Sequence, residues 1–252
     1  MLGKLVSLAE VLGTVRTENP EQDSVGVAFR NSIADVVEAV EASLGFTVDF
    51  PHVGAAYGIE PAGRLLPPET PEQIYAALRL RAAVEAHVPA GEGRHVVEIG
   101  GGYGAMAYWF LRMMDVRYTV VDLPIINVLQ GYFLAEALGH DNVSLLGEPP
   151  RTVTVVPNTS LDAIQMPVSA VANKDSMPEI PEPAVVDYLE WTKRIRSAVF
   201  WSYNQEAAFP VDGTPQTVVP EVVARVGGLT RVDRELSFLR RGYAIETYDV
   251  DR

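Results

Sequence analysis

Apolar and polar positions divide the chain into two parts with different periods. In the first, apolar residues recur at helical spacing: Leu2, Leu5, Val6, Ala9 and Leu12, then Ile33, Val36, Val37 and Val40 in "SIADVVEAVEASLG". Residues three and four apart share one face of a helix, so both stretches predict amphipathic helices, the second ending at Gly45. Residues 50 to 70, "FPHVGAAYGIEPAGRLLPPET", are dense in Gly and Pro and predict a loop. "PEQIYAALRLRAAVEAHV" (71–88) predicts a third helix, with Pro71 in the first turn, where a missing N–H costs nothing. "PAGEGR" then breaks the chain.

From residue 95 the period shortens. "HVVEI", "RYTVVDL", "NVSLLG", "AVANK" and "AVFWSYN" are short apolar runs that predict buried strands. "AMAYWFLRMM", "IINVLQGYFLAEALG" (stopped by Gly139) and "PAVVDYLEWTKRIRS" predict helices between them. "LSFLRRGYAIETYDV" predicts two strands joined at "RRG". Alternation of this kind implies an α/β fold, Rossmann-like, with a mostly parallel sheet, helices on both faces and an antiparallel C-terminal edge. The expected organisation is an N-terminal helical cap segment over 1–90 and a nucleoside-binding core over 91–252.

Composition narrows the functions. Of 252 residues 48% are apolar, enough for a large core, and the formal net charge is −13. So acidic a surface repels nucleic acid and anionic lipid, and suits a neutral or cationic ligand. The absence of cysteine excludes disulfides, a thiolate nucleophile and Cys-ligated zinc. Glu10 interrupts the first apolar run, no cleavage pattern follows, and no stretch of about 18 apolar residues occurs. The expectation is a cytoplasmic protein with no membrane partner.

The chemistry concentrates after the first predicted strand. Gly100, Gly101, Gly102 and Gly104 lie between that strand and a helix, where a ligand can approach the backbone and meet free N–H groups. Glu98, two residues earlier, would repel a pyrophosphate but attract an ammonium. Asp122, 24 residues beyond Glu98, ends the second strand and can accept hydrogen bonds from both hydroxyls of a ribose. Asp122 therefore marks a nucleoside, and Glu98 favours S-adenosyl-L-methionine over NAD(P). A turn without ligand and an NAD(P) oxidoreductase are the alternatives.

"VVEIGGGYGAMAYWF" and "YTVVDLP" resemble the first two motifs of class I methyltransferases. Together with "LQGYFL", "NKDSMPEI", "YLEW" and "FWSYN", they resemble a bacterial sugar O-methyltransferase family over roughly residues 50–210. The compact length and acidic, Ala/Val-rich character are similar to its mycobacterial 1-O-methyltransferase branch, which serves methylmannose polysaccharide synthesis. The resemblance implies transfer of a methyl group to a sugar hydroxyl, with another small hydroxylated metabolite as the alternative acceptor. It places Glu98, Gly100, Gly102, Tyr103, Gly104, Asp122, Leu123 and Asn173 around the cofactor.

A sugar hydroxyl is a poor acid, so the step benefits from a base or a metal. Asp175 and Glu179 in "NKDSMPEIPE" lie four apart and would share a face if a helical turn starts near 176. Either could take the proton, or together they could hold Mg2+. The competing role is local: Asp175 or Ser176 as a helix cap, with Glu179 completing a capping box. His52, in the Gly/Pro-rich loop, is a third candidate base. His87, His95 and His140 are expected at the opposite end of the sheet from the cofactor and to be structural. Tyr57, Tyr203 and Asn204 are candidates for binding the acceptor, with core packing as the alternative for the last two. A homodimer is a further expectation.

Overall fold

The computed structural model describes residues 1–17, 19, 21, 32–89, 93–165, 167–210 and 213–251. The chain forms two compact units: residues 1–75 with 238–240, and residues 76–237 with 241–252. The expected break at 89–94 and boundary at 90/91 fall partly outside the described residues.

The first unit contains α1 (Leu2–Val11) and α2 (Ile33–Leu44), and α3 (Thr70–His87) begins in it. Leu5, Val6, Leu8 and Ala9 of α1 and Val36, Val37 and Val40 of α2 are buried, as their spacing requires. A capping box starts α2: the Ser32 side chain accepts from the Asp35 N–H, and the Asp35 carboxylate from the Ser32 N–H. Gly45 ends it in the left-handed region. Residues 50–69 form a loop held by a bridge between Ile59 and Leu66. Glu72 is only 5% exposed; it is paired with Lys4, and with Arg240 at 3.1 Å. Residues 238–240 thus belong to a unit otherwise built from the first 75 residues.

The second unit is an eight-stranded sheet in the order β3-β4-β2-β1-β5-β6-β8-β7. The strands are β1 (His95–Ile99), β2 (Arg117–Asp122), β3 (Val143–Leu145), β4 (Val153–Pro157), β5 (Ala170–Lys174), β6 (Val199–Gln205), β7 (Leu229–Leu236) and β8 (Tyr243–Val250). The helices α4 (Ala105–Leu111), α5 (Pro124–Leu138), α6 (Glu182–Arg194) and α7 (Val219–Val226) connect them. The first six strands pair parallel, and β8 pairs antiparallel with both β6 and β7. A continuous core joins Val97, Ile99, Val121, Val171 and Phe200 of the sheet to Leu189 and Trp191 of α6 and Val222 of α7. Each large side chain buried there stabilises the fold by roughly 1.5–3 kcal/mol.

The expected architecture holds, with three differences. "VTVVP" forms β4, so "AVANK" and "AVFWSYN" fall in the fifth and sixth strands, not the fourth and fifth. "VPEVVARV" forms α7 although its valines have the β-branched character of a strand. The C-terminal pair begins earlier than expected, with β7 at Leu229 and the connection at 237–242. No helix among the described residues is long and apolar enough to cross a membrane.

Candidate functional site

β1 is paired with β2 on one side and β5 on the other. The chain runs outward from β1 through β2 and returns across it to β5, so the sheet reverses direction of build at the end of β1. Crevices at such points take ligands in open parallel sheets. Gly100, Gly102 and Gly104 follow β1, all with positive φ (+71, +55 and +100°). A Cβ on Gly102 would meet no atom within 4 Å, so the turn presents bare backbone to open space. Gly100 is the opposite case: a Cβ there would lie 1.9 Å from the Ser176 hydroxyl. Tyr103 is half-buried and stacks edge-on against Phe133.

The carboxylate of Glu98 lies beneath this turn. Glu98 is 2% exposed, its Oε2 accepts from the Tyr118 hydroxyl at 2.9 Å, and a Cβ on Gly101 would touch that oxygen at 3.1 Å. Burial pushes its carboxyl up to about 7, and the nearby charge of Asp122 adds to that; Tyr118 and Lys174 act against it.

Asp122 ends β2, half-buried. Its Oδ2 accepts from the Gly102 N–H and from Gln130 of α5, both at 3.2 Å, and its Oδ1 from the Leu123 N–H at 2.8 Å. Burial raises its pKa, and these three donors oppose the rise. Leu123 beside it is 53% exposed. Across the sheet, Asp122 is level with Pro157 at the end of β4. The next residue, Asn158, has a buried side-chain oxygen with no partner. The phenol of Tyr188 is pushed up by burial and, less strongly, by the charge of Asp122, with Asn158 acting against the rise. Sequence reading missed Asn158, Gln130 and Tyr188; Asn158 follows β4, a strand the sequence pattern left unassigned.

The end of β5 is tied to the end of β1. Asn173 is fully buried and donates to the Ile99 carbonyl at 2.8 Å and to the Ser176 hydroxyl at 2.6 Å. Its oxygen accepts from Asn204 on β6 at 2.9 Å. Asn204 is itself 3% exposed, and its own side-chain oxygen is buried without a partner. Tyr203 is fully buried, with its hydroxyl 2.6 Å from that of Ser237, which matches core packing and not an exposed contact with an acceptor.

Asp175 follows β5 with φ +66°, an unusual conformation for a residue with a side chain. Its N–H donates to the Tyr203 carbonyl, and its Oδ1 accepts from the Tyr243 hydroxyl at 2.6 Å. The expected α-helical turn at 176 is a short 3-10 turn, Met177–Glu179. Ser176 makes no capping bond, because its hydroxyl is drawn to Asn173 and Ile99. The capping box is therefore absent, and the four-residue spacing does not put Asp175 and Glu179 on one α-helical face. Glu179 is exposed. No group of three or more His, Asp or Glu able to hold a metal ion occurs among the described residues, so Mg2+ finds no support.

His95 is buried, with Nε2 2.8 Å from the Thr119 hydroxyl; burial lowers its pKa to about 4, with Arg117 adding to the effect. His87 pairs with Asp249, and His140 with Glu136. In the first unit, His52 is exposed and Tyr57 is 79% exposed.

The fold has counterparts among solved structures. The chain is similar to the mitomycin 7-O-methyltransferase MmcR, with TM-score 0.51 and 14% identity over 97% of this chain and 67% of that one. It is also similar to the pyocyanin biosynthetic protein PhzM, with TM-score 0.54 and 14% identity over 84% and 64%. The fold is the Rossmann-like fold of class I methyltransferases. The chain spans about two thirds of the length of these two neighbours. No family model matches the sequence, and no curated protein matches it.

Proposed function

We propose that the protein is an S-adenosyl-L-methionine-dependent O-methyltransferase acting on a sugar hydroxyl of a small glycoside or oligosaccharide. The observation that carries the cofactor class is the buried Glu98 carboxylate under the glycine turn. A pyrophosphate on that turn would meet the charge of Glu98. A ligand with an ammonium and a sulfonium would be favoured by it and would favour its ionised form. The residues present fit such a ligand: Asp122 would take the ribose hydroxyls, the backbone at Gly100–Gly104 the amino-acid part, and the orphaned oxygen of Asn158 an adenine amine. When bound, the cofactor supplies the methyl group.

The chain's own residues would orient the acceptor oxygen toward that methyl, which supplies much of the rate in an in-line displacement. Asp175, fixed by Tyr243 at the end of β5, is the best-positioned proton acceptor in the second unit; Glu179 and His52 are the competitors. The sugar acceptor rests on the motif resemblance and on the charge of −13, which disfavours nucleic acid. MmcR's fold similarity, reaching 97% of this chain, favours a second reading in which the acceptor is another hydroxylated small molecule.

Calorimetry with S-adenosylhomocysteine and with NAD(P)H tests the cofactor class. Micromolar-range binding of the first and none of the second is expected. Asp122→Ala should weaken the former by roughly tenfold to a hundredfold, the worth of about 1.5–3 kcal/mol of hydrogen bonding to a charged group. Tight NAD(P)H binding without response to S-adenosylhomocysteine would overturn the reading.

A further inference from the structure

Helix α5 has two contrasting faces. Inward, Gln130 is fully buried and donates to Asp122. Outward, Ile125, Val128, Leu129 and Tyr132 recur at i, i+3, i+4 and i+7 and are 70, 66, 54 and 56% exposed. The solvent side of a helix ordinarily carries charge, yet no charged residue occurs between Asp122 and Glu136. Leu145 and Leu146, at the adjoining edge of the sheet, are 48 and 44% exposed. Between the helix and that edge runs a groove of about 580 Å3, with Val128, Gly131 and Tyr132 on one wall and Val143, Leu145 and Leu146 on the other.

We propose that this face binds a second copy of the chain across a two-fold axis, the α5 ridge of each copy entering the groove of the other. Three features point to that occupant. A ridge and a groove side by side on one surface are self-complementary under a two-fold rotation, which is the requirement of an isologous interface. The six exposed apolar side chains present on the order of 600 Å2, near the roughly 800 Å2 that each partner gives to a standard interface and at the top of what monomers leave exposed. Charge completes the argument. Two bodies of net charge −13 repel over most of their surfaces and can meet only where charge is absent or mixed. This face is neutral, and the groove is bordered by Glu148 and by Arg151, which lies 3.7 Å from Asp141. Both signs at one rim allow like copies to pair. A lipid surface would instead call for a basic polar border.

Sedimentation velocity of the full chain tests the proposal, with Leu129→Glu as the interface variant. The parent is expected at twice the 27.5 kDa chain mass at micromolar concentration, and Leu129→Glu as a monomer with an unchanged circular dichroism spectrum. If that variant does not fold, Leu129→Gln is read in the same way. The chain has no cysteine, so Leu129→Cys introduces a single thiol near the axis. Mild oxidation should link it into covalent dimers, whereas Glu190→Cys on α6 should stay unlinked. A monomeric parent at about 100 µM, a dimer that survives the Leu129 substitutions, or equal linking of the two cysteine variants would overturn it; micromolar affinity is about 8 kcal/mol.

Discussion

Glu98 and His95 are three residues apart on one strand, and burial shifts them in opposite directions, to about 7 and about 4. A carboxyl whose folded pKa lies above its ordinary 4.5 favours the folded state below 4.5, and that contribution is lost as pH rises to 7. An imidazole whose folded pKa lies below its ordinary 6.5 favours folding above 6.5, and that contribution is lost as pH falls to 4. Each is worth about 3 kcal/mol, so between pH 4.5 and 6.5 the loss of one nearly offsets the gain of the other. Glu98→Gln removes one side of the balance. Relative to the parent, its stability should rise by about 3 kcal/mol between pH 4.5 and 7.5 in urea titrations. A difference independent of pH would mean that burial does not govern Glu98. The sequence showed the acid and its place before the glycines. It did not show Tyr118 beneath it, because that partner lies on another strand, 20 residues away.

At the scale of elements, the turns after β1 and β5 are locked together. Gly100 has φ +71° and faces the Ser176 hydroxyl, so a methyl group there meets both backbone strain and a collision. Gly100→Ala should cost roughly 2 kcal/mol or more, and Ser176→Gly in the same chain should restore part of it; thermal melts of the three variants read this directly. The same turn carries the proposed proton acceptor. Asp175→Asn should lower turnover at least about a hundredfold with cofactor affinity nearly unchanged, while Glu179→Gln and His52→Ala remain active. Loss of turnover only in His52→Ala would move the base to the first unit.

Legibility varied by element for physical reasons. β1, β2, β5 and β6 are buried on both faces and read as continuous apolar runs. β4 alternates Thr and Val between prolines, too short an apolar pattern to stand out as a strand. β7, "LTRVDREL", is an edge strand exposed along most of its length. Its charges guard the edge against pairing, and they erase the apolar pattern by which strands are recognised. The 3-10 turn after β5 could not be told from an α-helical turn, because Ser176 has a tertiary partner that outcompetes the cap.

For the whole molecule, alternation along the chain was enough to give a Rossmann-like core, but not the composition of the two units. Local pattern says nothing of Glu72 meeting Arg240, 168 positions later. Glu72 is nearly buried and is also paired with Lys4. Arg240→Ala should therefore destabilise the protein by roughly 1–3 kcal/mol, the cost of under-satisfying a buried charged group. Arg240→Lys should recover part of this, as measured by urea unfolding. Equal stability of the alanine variant and the parent would show that Glu72 does not need Arg240.

The same ion pair orders events during synthesis. Translation runs at about 5–20 residues per second, so Arg240 leaves the ribosome on the order of 10–30 s after Glu72. Through that interval the nascent first unit lacks residues 238–240, and its acidic Glu72 is without the guanidinium of Arg240. The unit made first is thus among the last to be completed, and a ribosome stalled before Arg240 should display an N-terminal segment more open to protease than the same segment in the released chain.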